Sequence, residues 1–247
     1  MLVHPSLQHL SHRPWPIPTR PWTLRQVWHD LLFLHWPVPA AILRTLVPPA
    51  LEIQEFSGSA WLAVTPFWMS DIGFRRWRFP GGLSRFGELN IRTYVSRADR
   101  PGVWFFSLDA GSRLGALVGR WLYGLPYVHA RIQQGQVGEE VRFGSTRRGG
   151  IGFVARYGPT GPPGTSHPGS LEHWLTERYC LYSQRSGELH RAEIHHRPWP
   201  LQPAAAVVTR NDLPGVHGIA LGGPPALLHF SRKLEVIVWS LERVIRR

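Results

Sequence analysis

Cysteine and lysine are nearly absent from this chain. Its 247 residues contain one cysteine, Cys180, so neither an intramolecular disulfide nor a metal site built from cysteine alone can form. A lone cysteine is most often a small core residue, and we expect this of Cys180. Of the 28 basic residues only Lys233 is a lysine. Arginine replaces lysine in every part of the chain, which suggests a biased genome composition.

Long apolar runs and nucleotide-binding motifs are missing as well. No window approaches the roughly 20 apolar residues that a membrane-spanning helix needs, and residues 1–18 lack the charged and apolar regions of a secretory signal. The patterns GxxxxGKS/T, GxGxxG and GxSxG do not occur. We therefore expect a cytoplasmic protein with no membrane partner, and the sequence points to no cofactor.

The net charge of +12 is spread along the chain rather than concentrated. Even the densest group, Arg75, Arg76 and Arg78, falls short of the long run of like charges that is typical of a nucleic-acid-binding tail. Such a chain attracts polyanions weakly and without specificity. We expect no specific nucleic-acid partner.

Thirteen histidines raise the question of a metal site. A representative group, His190 with His195 and His196, lacks the i, i+4 spacing of helical zinc ligands and a carboxylate at a suitable offset. We therefore expect no metal. On a strand, His195 and His196 point to opposite faces, so only one of them can enter a given site, and the sequence does not say which.

Short apolar stretches separated by glycine and proline predict a mainly β (α+β) fold, an antiparallel barrel or sandwich with a few short helices. Residues 1–247 are expected to form a single domain, with about residues 1–20 as a loosely ordered extension. Thr23–Phe33 fits either a short helix or a bulged strand that continues to Trp36. Ser112–Tyr123 has helical apolar spacing, and Gly124 follows as a helix stop.

The segment Phe86–Ala110 predicts two β-strands joined by a polar turn. The first strand alternates strictly, and one of its faces is polar: Glu88, Asn90, Arg92 and Tyr94. Such a face is either solvated or lines a polar cavity. Glu88 and Arg92 lie about 13 Å apart at roughly 3.3 Å per residue, so each needs a partner from elsewhere, or a ligand. Alternation alone leaves a register-fixing ion network and a cavity equally open.

Two neighbouring stretches bear on that choice. On strict alternation, the second strand of the pair places Ser107 and Asp109 on one face with Phe105. Farther along, LPYVHAR places Tyr127 and His129 on one strand face. These two are either a core aromatic and a surface residue, or a second wall of the same cavity. The coincidence of two such strands moderately favours the cavity.

Seven blocks of the sequence resemble the YqjF-like family of uncharacterised conserved bacterial proteins, the DUF2071 group, and the match covers about Arg20–Gln202. They read HDLLFLHWPVPAAILRTLVP, GSAWLAVTPFWMS, FGELNIRTYV, GVWFFSLDA, LPYVHARI, LEHWLTERYCLYS and IHHRPWPLQ. This family is similar to the acetoacetate decarboxylase-like superfamily. The resemblance implies an antiparallel β cone or closed barrel with a central polar pocket.

The resemblance stops at the residue that defines the reaction of the superfamily. In acetoacetate decarboxylase a lysine forms a Schiff base with the substrate ketone, and a second lysine beside it lowers its pKa. The corresponding stretch, WLYGLPYVHAR, has no lysine, and Lys233 has no lysine neighbour. We therefore expect the scaffold without imine-based decarboxylation, because fold does not imply function.

We predict a ligand pocket lined by six residues: Glu88, Asn90, Arg92, Tyr94, Tyr127 and His129. Arg92 would hold a small anionic ligand, a carboxylate or an enolate, because a guanidinium does this bidentately. Glu88 would act as an acid or base, or as the partner of Arg92, and these two are the catalytic candidates. Three functions stay open: binding and transformation of a small carboxylate or oxo compound, non-catalytic ligand sensing, and a structural polar face in a protein that acts through a protein partner. Self-association is open too.

Overall fold

The computed structural model describes residues 4–245, in which fourteen strands form one curved sheet with four short helices. The strands are β1 (Leu24–Val38), β2 (Glu52–Ile53), β3 (Ala60–Phe74), β4 (Trp77–Arg78), β5 (Phe86–Arg97), β6 (Arg100–Ala110), β7 (Tyr127–Val137), β8 (Glu140–Arg147), β9 (Gly152–Pro159), β10 (Cys180–Arg185), β11 (Glu188–His196), β12 (Gln202–Asn211), β13 (Leu227–Val238) and β14 (Glu242–Arg243). The helices are α1 (Ala40–Arg44), α2 (Arg113–Tyr123), α3 (Leu171–Thr176) and α4 (Leu213–Val216).

The sheet closes on itself twice. β5, β3, β1, β13, β11, β10 and β6 pair in that order, and β6 pairs back to β5 to complete a ring. In a second ring, the strands pair in the order β6, β7, β8, β9, β12 and β13, and β6 and β13 are shared with the first ring. Most pairings are antiparallel, and β6 pairs in parallel with β7 and β10. The predicted mainly β, barrel-like fold with a few short helices is confirmed.

β5 is shared by the two rings and is buried on both faces. Its apolar residues Leu89, Ile91 and Val95 pack into one hydrophobic core together with residues of β8 and β9. Its other face turns into the first ring, and eleven of its twelve residues are buried. The polar face of β5 is therefore not solvated, because both sides of the strand are covered by protein.

β1 follows the bulged-strand alternative and contains no helix. The strand runs from Leu24 to Val38, and its pairing with β3 shifts between His29 and Leu34. Asp30 lies at this irregularity with φ of 48°, a left-handed conformation that Asp tolerates better than most residues. The shift lets one long strand contribute side chains to both large hydrophobic cores of the protein. The predicted helix after Ser112 is confirmed as α2, and Gly124 ends it with φ of 60°.

The N-terminal segment differs from the loosely ordered extension that its composition suggested. Arg13 Nη2 and Trp15 Nε1 both donate to Glu193 Oε2 of β11, at 3.0 and 2.7 Å. The Arg13 side chain is 1 % exposed. The Pro- and His-rich residues therefore extend along the barrel because two side chains reach a buried carboxylate, a long-range contact that composition does not reveal. That the whole chain is one domain stays a prediction.

No helix in residues 4–245 is both long and apolar enough to pass through a bilayer.

We expect Glu193→Ala to lower the free energy of unfolding by about 3 kcal/mol, because it leaves the buried Arg13 charge without a partner. The matched control is Glu188→Ala on the same strand, which removes an exposed ion pair with Arg243 and should cost less than about 1 kcal/mol. Urea denaturation measures both. Equal losses would mean that the N-terminal segment is not held by Glu193.

Candidate functional site

A cavity of ≈110 Å³ lies inside the first ring of strands. A dry protein cavity of about 150 Å³ can hold a benzene-sized molecule, so this space has the size for a small organic ligand. Four of the six predicted residues line it: Glu88, Asn90 and Arg92 of β5 and Tyr127 of β7. The structure thus brings the polar row of β5 and the start of β7 to one space.

Glu88 is the central carboxylate of the cavity wall. The Tyr127 hydroxyl donates to its Oε2 at 2.8 Å, and Asn90 Nδ2 donates to its Oε1 at 3.3 Å. Burial raises the pKa of Glu88 to about 7, although both hydrogen bonds and the Arg92 charge oppose the rise. Burial likewise raises the pKa of Tyr127 well above its ordinary value, so this phenol stays protonated and donates. Glu88 can therefore exchange a proton near neutral pH.

Two buried arginines face the same cavity. Arg92 is 9 % exposed and Arg178, between α3 and β10, is 8 % exposed. Arg178 donates through Nε to the Trp174 carbonyl at 2.6 Å and through Nη1 to Gln54 Oε1. The pKa of Arg178 is lowered to about 10, mainly by burial and in part by the nearby Arg92 charge, although Tyr94 and Cys180 oppose the change. Within residues 4–245, neither guanidinium forms an ion pair with a carboxylate.

Several buried polar atoms on the cavity wall have no hydrogen-bond partner among the described residues. They are Arg92 Nε, Arg178 Nη2, Asn90 Oδ1, Trp199 Nε1 and the Tyr123 hydroxyl oxygen. Buried polar groups in proteins are nearly always paired with protein or water. Donors outnumber acceptors in this group, and two of the donors carry positive charge. The wall is therefore suited to an anionic or strongly hydrogen-bond-accepting occupant.

Tyr94 and His129 do not line the cavity. Tyr94 is fully buried, and its hydroxyl shares a hydrogen bond of 2.7 Å with His35 Nε2. His129 is half-buried at the end of the short pairing between β7 and β6, after which β7 continues into the second ring. Neither is among the side chains that line this cavity, because strand alternation gives a face but not how far a cavity extends along it. That they take part in ligand binding stays a prediction.

A β-bulge in β6 reverses the faces predicted for Ser107 and Asp109. The pairing with β5 shifts between Ile91 and Arg92, so that Phe106 is inserted as an extra residue. Phe105 and Leu108 consequently line the cavity, as their pairing partners Arg92 and Asn90 on β5 do. Asp109 faces the other core, where it accepts from Ser145 Oγ and Arg147 Nε, both at 2.6 Å. Asp109 is therefore not the partner of Arg92.

Of the adjacent histidines, His196 lines the cavity, and His195 faces the N-terminal segment. His196 Nδ1 donates to the Arg197 carbonyl at 2.7 Å, which leaves Nε2 as an acceptor. Burial lowers the pKa of His196, so the ring is neutral. Sequence reasoning left this choice open and missed Arg178 as a site residue. The signal for Arg178 was an arginine set directly before the apolar stretch Tyr179–Leu181.

The single lysine is remote from this chemistry. Lys233 is exposed on β13 and is not among the lining residues. Cys180 is buried in the hydrophobic core, and burial raises the pKa of its thiol to about 12. Among the described residues, no cluster of three His, Cys, Asp or Glu side chains is arranged to hold a metal ion.

Solved structures of acetoacetate decarboxylase-like proteins share the fold of this chain. The acetoacetate decarboxylase of Legionella pneumophila superposes with a TM-score of 0.65 over 95 % of this chain and 93 % of its own, at 13 % identity. The enduracididine biosynthesis enzyme MppR, solved in complex with pyruvate, gives 0.55 over 94 % and 91 %, at 14 % identity. At such identities the likeness shows the fold alone, and it confirms the predicted kind of barrel.

The chain belongs to the DUF2071 family, whose members are described as uncharacterized conserved proteins and whose model matches residues 25–235. The uncharacterized protein YqjF of Bacillus subtilis strain 168 is 40 % identical over 229 residues, which cover 92 % of this chain and 95 % of that protein. The predicted family is confirmed.

We expect the free energy of unfolding of the wild type, relative to Glu88→Gln, to fall by about 3 kcal/mol as pH rises from 4.5 to above 7. The folded-state pKa of about 7 lies above the ordinary 4.5, so the folded protein binds this proton more tightly. The stabilisation is complete at low pH and is lost as pH passes the folded value. Denaturation at several pH values measures it.

The control for this titration is Glu55→Gln, which removes an exposed carboxylate. It should show no such difference from the wild type. If the free energies of unfolding of Glu88→Gln and the wild type differ by a constant amount from pH 4.5 to 8, the raised pKa of Glu88 is contradicted.

Proposed function

We propose that the protein binds a small anionic molecule, a carboxylate or an oxo compound, in the cavity inside the first ring. Arg92 anchors the anionic group, and Arg178 contributes a second guanidinium. The observation that carries this proposal is the pair of buried arginines for which no carboxylate partner exists within residues 4–245.

The charges on the cavity wall support an anionic ligand. Burying a charge is costly unless it is paired. Glu88 is the one carboxylate among the lining residues, and its pKa of about 7 keeps it largely protonated in mildly acidic solution. Two guanidiniums then face at most one negative charge. An added carboxylate would supply the missing charge and accept from Arg92 Nε and Arg178 Nη2.

Glu88 is the best candidate for proton transfer to or from such a ligand. A general acid or base works best when its pKa lies near the operating pH, and burial brings Glu88 into that range. Hydrogen bonds from Tyr127 and Asn90 hold its two oxygens in place. Neutral His196, with Nε2 as an acceptor, provides a second group on the same wall. A reaction at an oxo carboxylate would use these two groups.

Pyruvate, found in the MppR complex, belongs to the ligand class proposed here. Schiff-base decarboxylation is not part of the proposal. It needs a lysine amine beside the substrate, and Lys233 is exposed on β13 away from the cavity. Treating the protein with acetoacetate and borohydride should therefore leave its mass unchanged.

Ligand sensing without turnover is compatible with the same site. To distinguish sensing from catalysis, the protein is incubated with a carboxylate that it binds, and the solution is analysed for products. The cytoplasmic location, the absence of membrane and nucleic-acid partners, and self-association stay predictions. Size-exclusion chromatography with light scattering tests the last of these.

We expect Arg92→Gln to weaken the binding of pyruvate at least tenfold, because the variant loses a charge-assisted hydrogen bond worth roughly 1.5–3 kcal/mol. Titration calorimetry at pH 6.5 measures the dissociation constant. Arg97→Gln is the matched control: it removes an arginine from the same strand, outside the cavity, and should leave binding unchanged. Equal losses in the two variants, or no binding of pyruvate or acetoacetate to the wild type, would overturn the proposal.

A purely structural role for Arg92 makes the opposite prediction about stability. If Arg92 only fixed strand register, Arg92→Met would destabilise the ligand-free protein. We expect instead that it leaves the free energy of unfolding unchanged or raises it by about 1 kcal/mol, because it removes a buried charge that has no carboxylate partner within residues 4–245. Urea denaturation of both ligand-free proteins decides between the two, and a loss of about 3 kcal/mol would favour the structural role.

A further inference from the structure

The cavity has a polar end and an apolar end. At the polar end, Arg92 of β5 pairs with Phe105 of β6, and Arg178 is close enough for the charge of Arg92 to lower its pKa. At the other end, Phe86 is the first inward residue of β5 and pairs with Met69 of β3. These are called the Arg92 end and the Phe86 end below. They are six residues apart, about 20 Å along the strand.

Helix α2, the end of β3 and the segment before β5 close the Phe86 end with apolar side chains. Those on the wall are Ile72, Phe79, Leu83, Val118 and Leu122. Two glycines let the helix come this close to the sheet. A Cβ atom on Gly115 would lie 2.7 Å from the Phe86 ring, and one on Gly119 would lie 2.4 Å from the Tyr127 ring. The helix therefore packs directly onto the cavity wall.

We infer that the ligand is an amphiphilic monocarboxylate, with its carboxylate at the Arg92 end and a short apolar group of about three to five carbons directed toward the Phe86 end. This inference rests on the proposed function and specifies its ligand. A pyruvate-sized molecule contacts the polar end and leaves the apolar wall facing water. A ligand with an apolar group also covers the part of the apolar wall that its chain reaches.

The size of the cavity and the hydrophobic effect set the expected preference. Each further methylene that leaves water for the apolar wall tightens binding about fourfold. The gain stops when the cavity of ≈110 Å³ is full. Affinity should therefore rise along a series of linear carboxylates and then level off or fall.

The test is titration calorimetry of the wild-type protein with acetate, butanoate, hexanoate, octanoate and decanoate at pH 6.5. We expect the dissociation constant to fall about fourfold per methylene up to butanoate or hexanoate and no further. Hexan-1-ol, which has the apolar group without the charge, should bind at least tenfold more weakly than hexanoate. Arg92→Gln should remove that difference.

Two matched variants of α2 locate the apolar group. Val118→Phe adds volume on the cavity side of the helix, and Leu117→Phe makes a similar change on its exposed side. Val118→Phe should move the optimum to a shorter chain and leave acetate binding unchanged. Leu117→Phe should leave the whole series unchanged. An optimum that moves equally in both variants would place the apolar group elsewhere and overturn the inference.

The outcomes separate this inference from the proposed function. If all the carboxylates bind with the affinity of acetate and their binding depends on Arg92, the inference is overturned and the proposed function stays in place. If hexanol binds as tightly as hexanoate, or if no carboxylate binds while pyruvate and acetoacetate also fail, the anionic site itself is wrong, and both fall together.

Discussion

The burial of β5 on both faces is the constraint on which the rest of the structure depends. One face packs into a hydrophobic core, so the other must enter the first ring, and it carries Glu88, Asn90 and Arg92 with it. No water-exposed side is left for these groups. Their charges and hydrogen-bonding atoms must be satisfied inside the barrel. The raised pKa of Glu88 and the unpaired Arg92 Nε are both consequences of this burial.

The same fold can hold different chemistry because the wall residues, and not the ring of strands, define the reaction. In acetoacetate decarboxylase a lysine supplies the amine for the Schiff base. In this chain the cavity wall carries guanidinium groups, one carboxylate and a neutral imidazole. A guanidinium binds an anion but does not form an imine. On the function that we propose, the cavity holds a carboxylate and moves a proton and captures no ligand covalently.

The sequence predicts the strand with the polar face well, since alternation alone assigns Glu88, Asn90 and Arg92 to one side. Prediction from the sequence fails for features that depend on contacts between residues far apart in the chain. Because Phe106 is an extra residue in β6, Asp109 points to the other core. The Tyr94 hydroxyl is hydrogen-bonded to His35. Arg178 comes from a segment some eighty-five residues beyond Arg92, and no local pattern indicates that the two approach one another.

A crystal structure of the protein grown with hexanoate at pH 6 tests the central claim most directly. The account predicts carboxylate oxygens within about 2.7–3.1 Å of guanidinium nitrogens of Arg92 and Arg178, with the alkyl chain directed toward Phe86. A cavity in which Arg92 instead forms an ion pair with Glu88, with hexanoate absent or bound elsewhere, would contradict it.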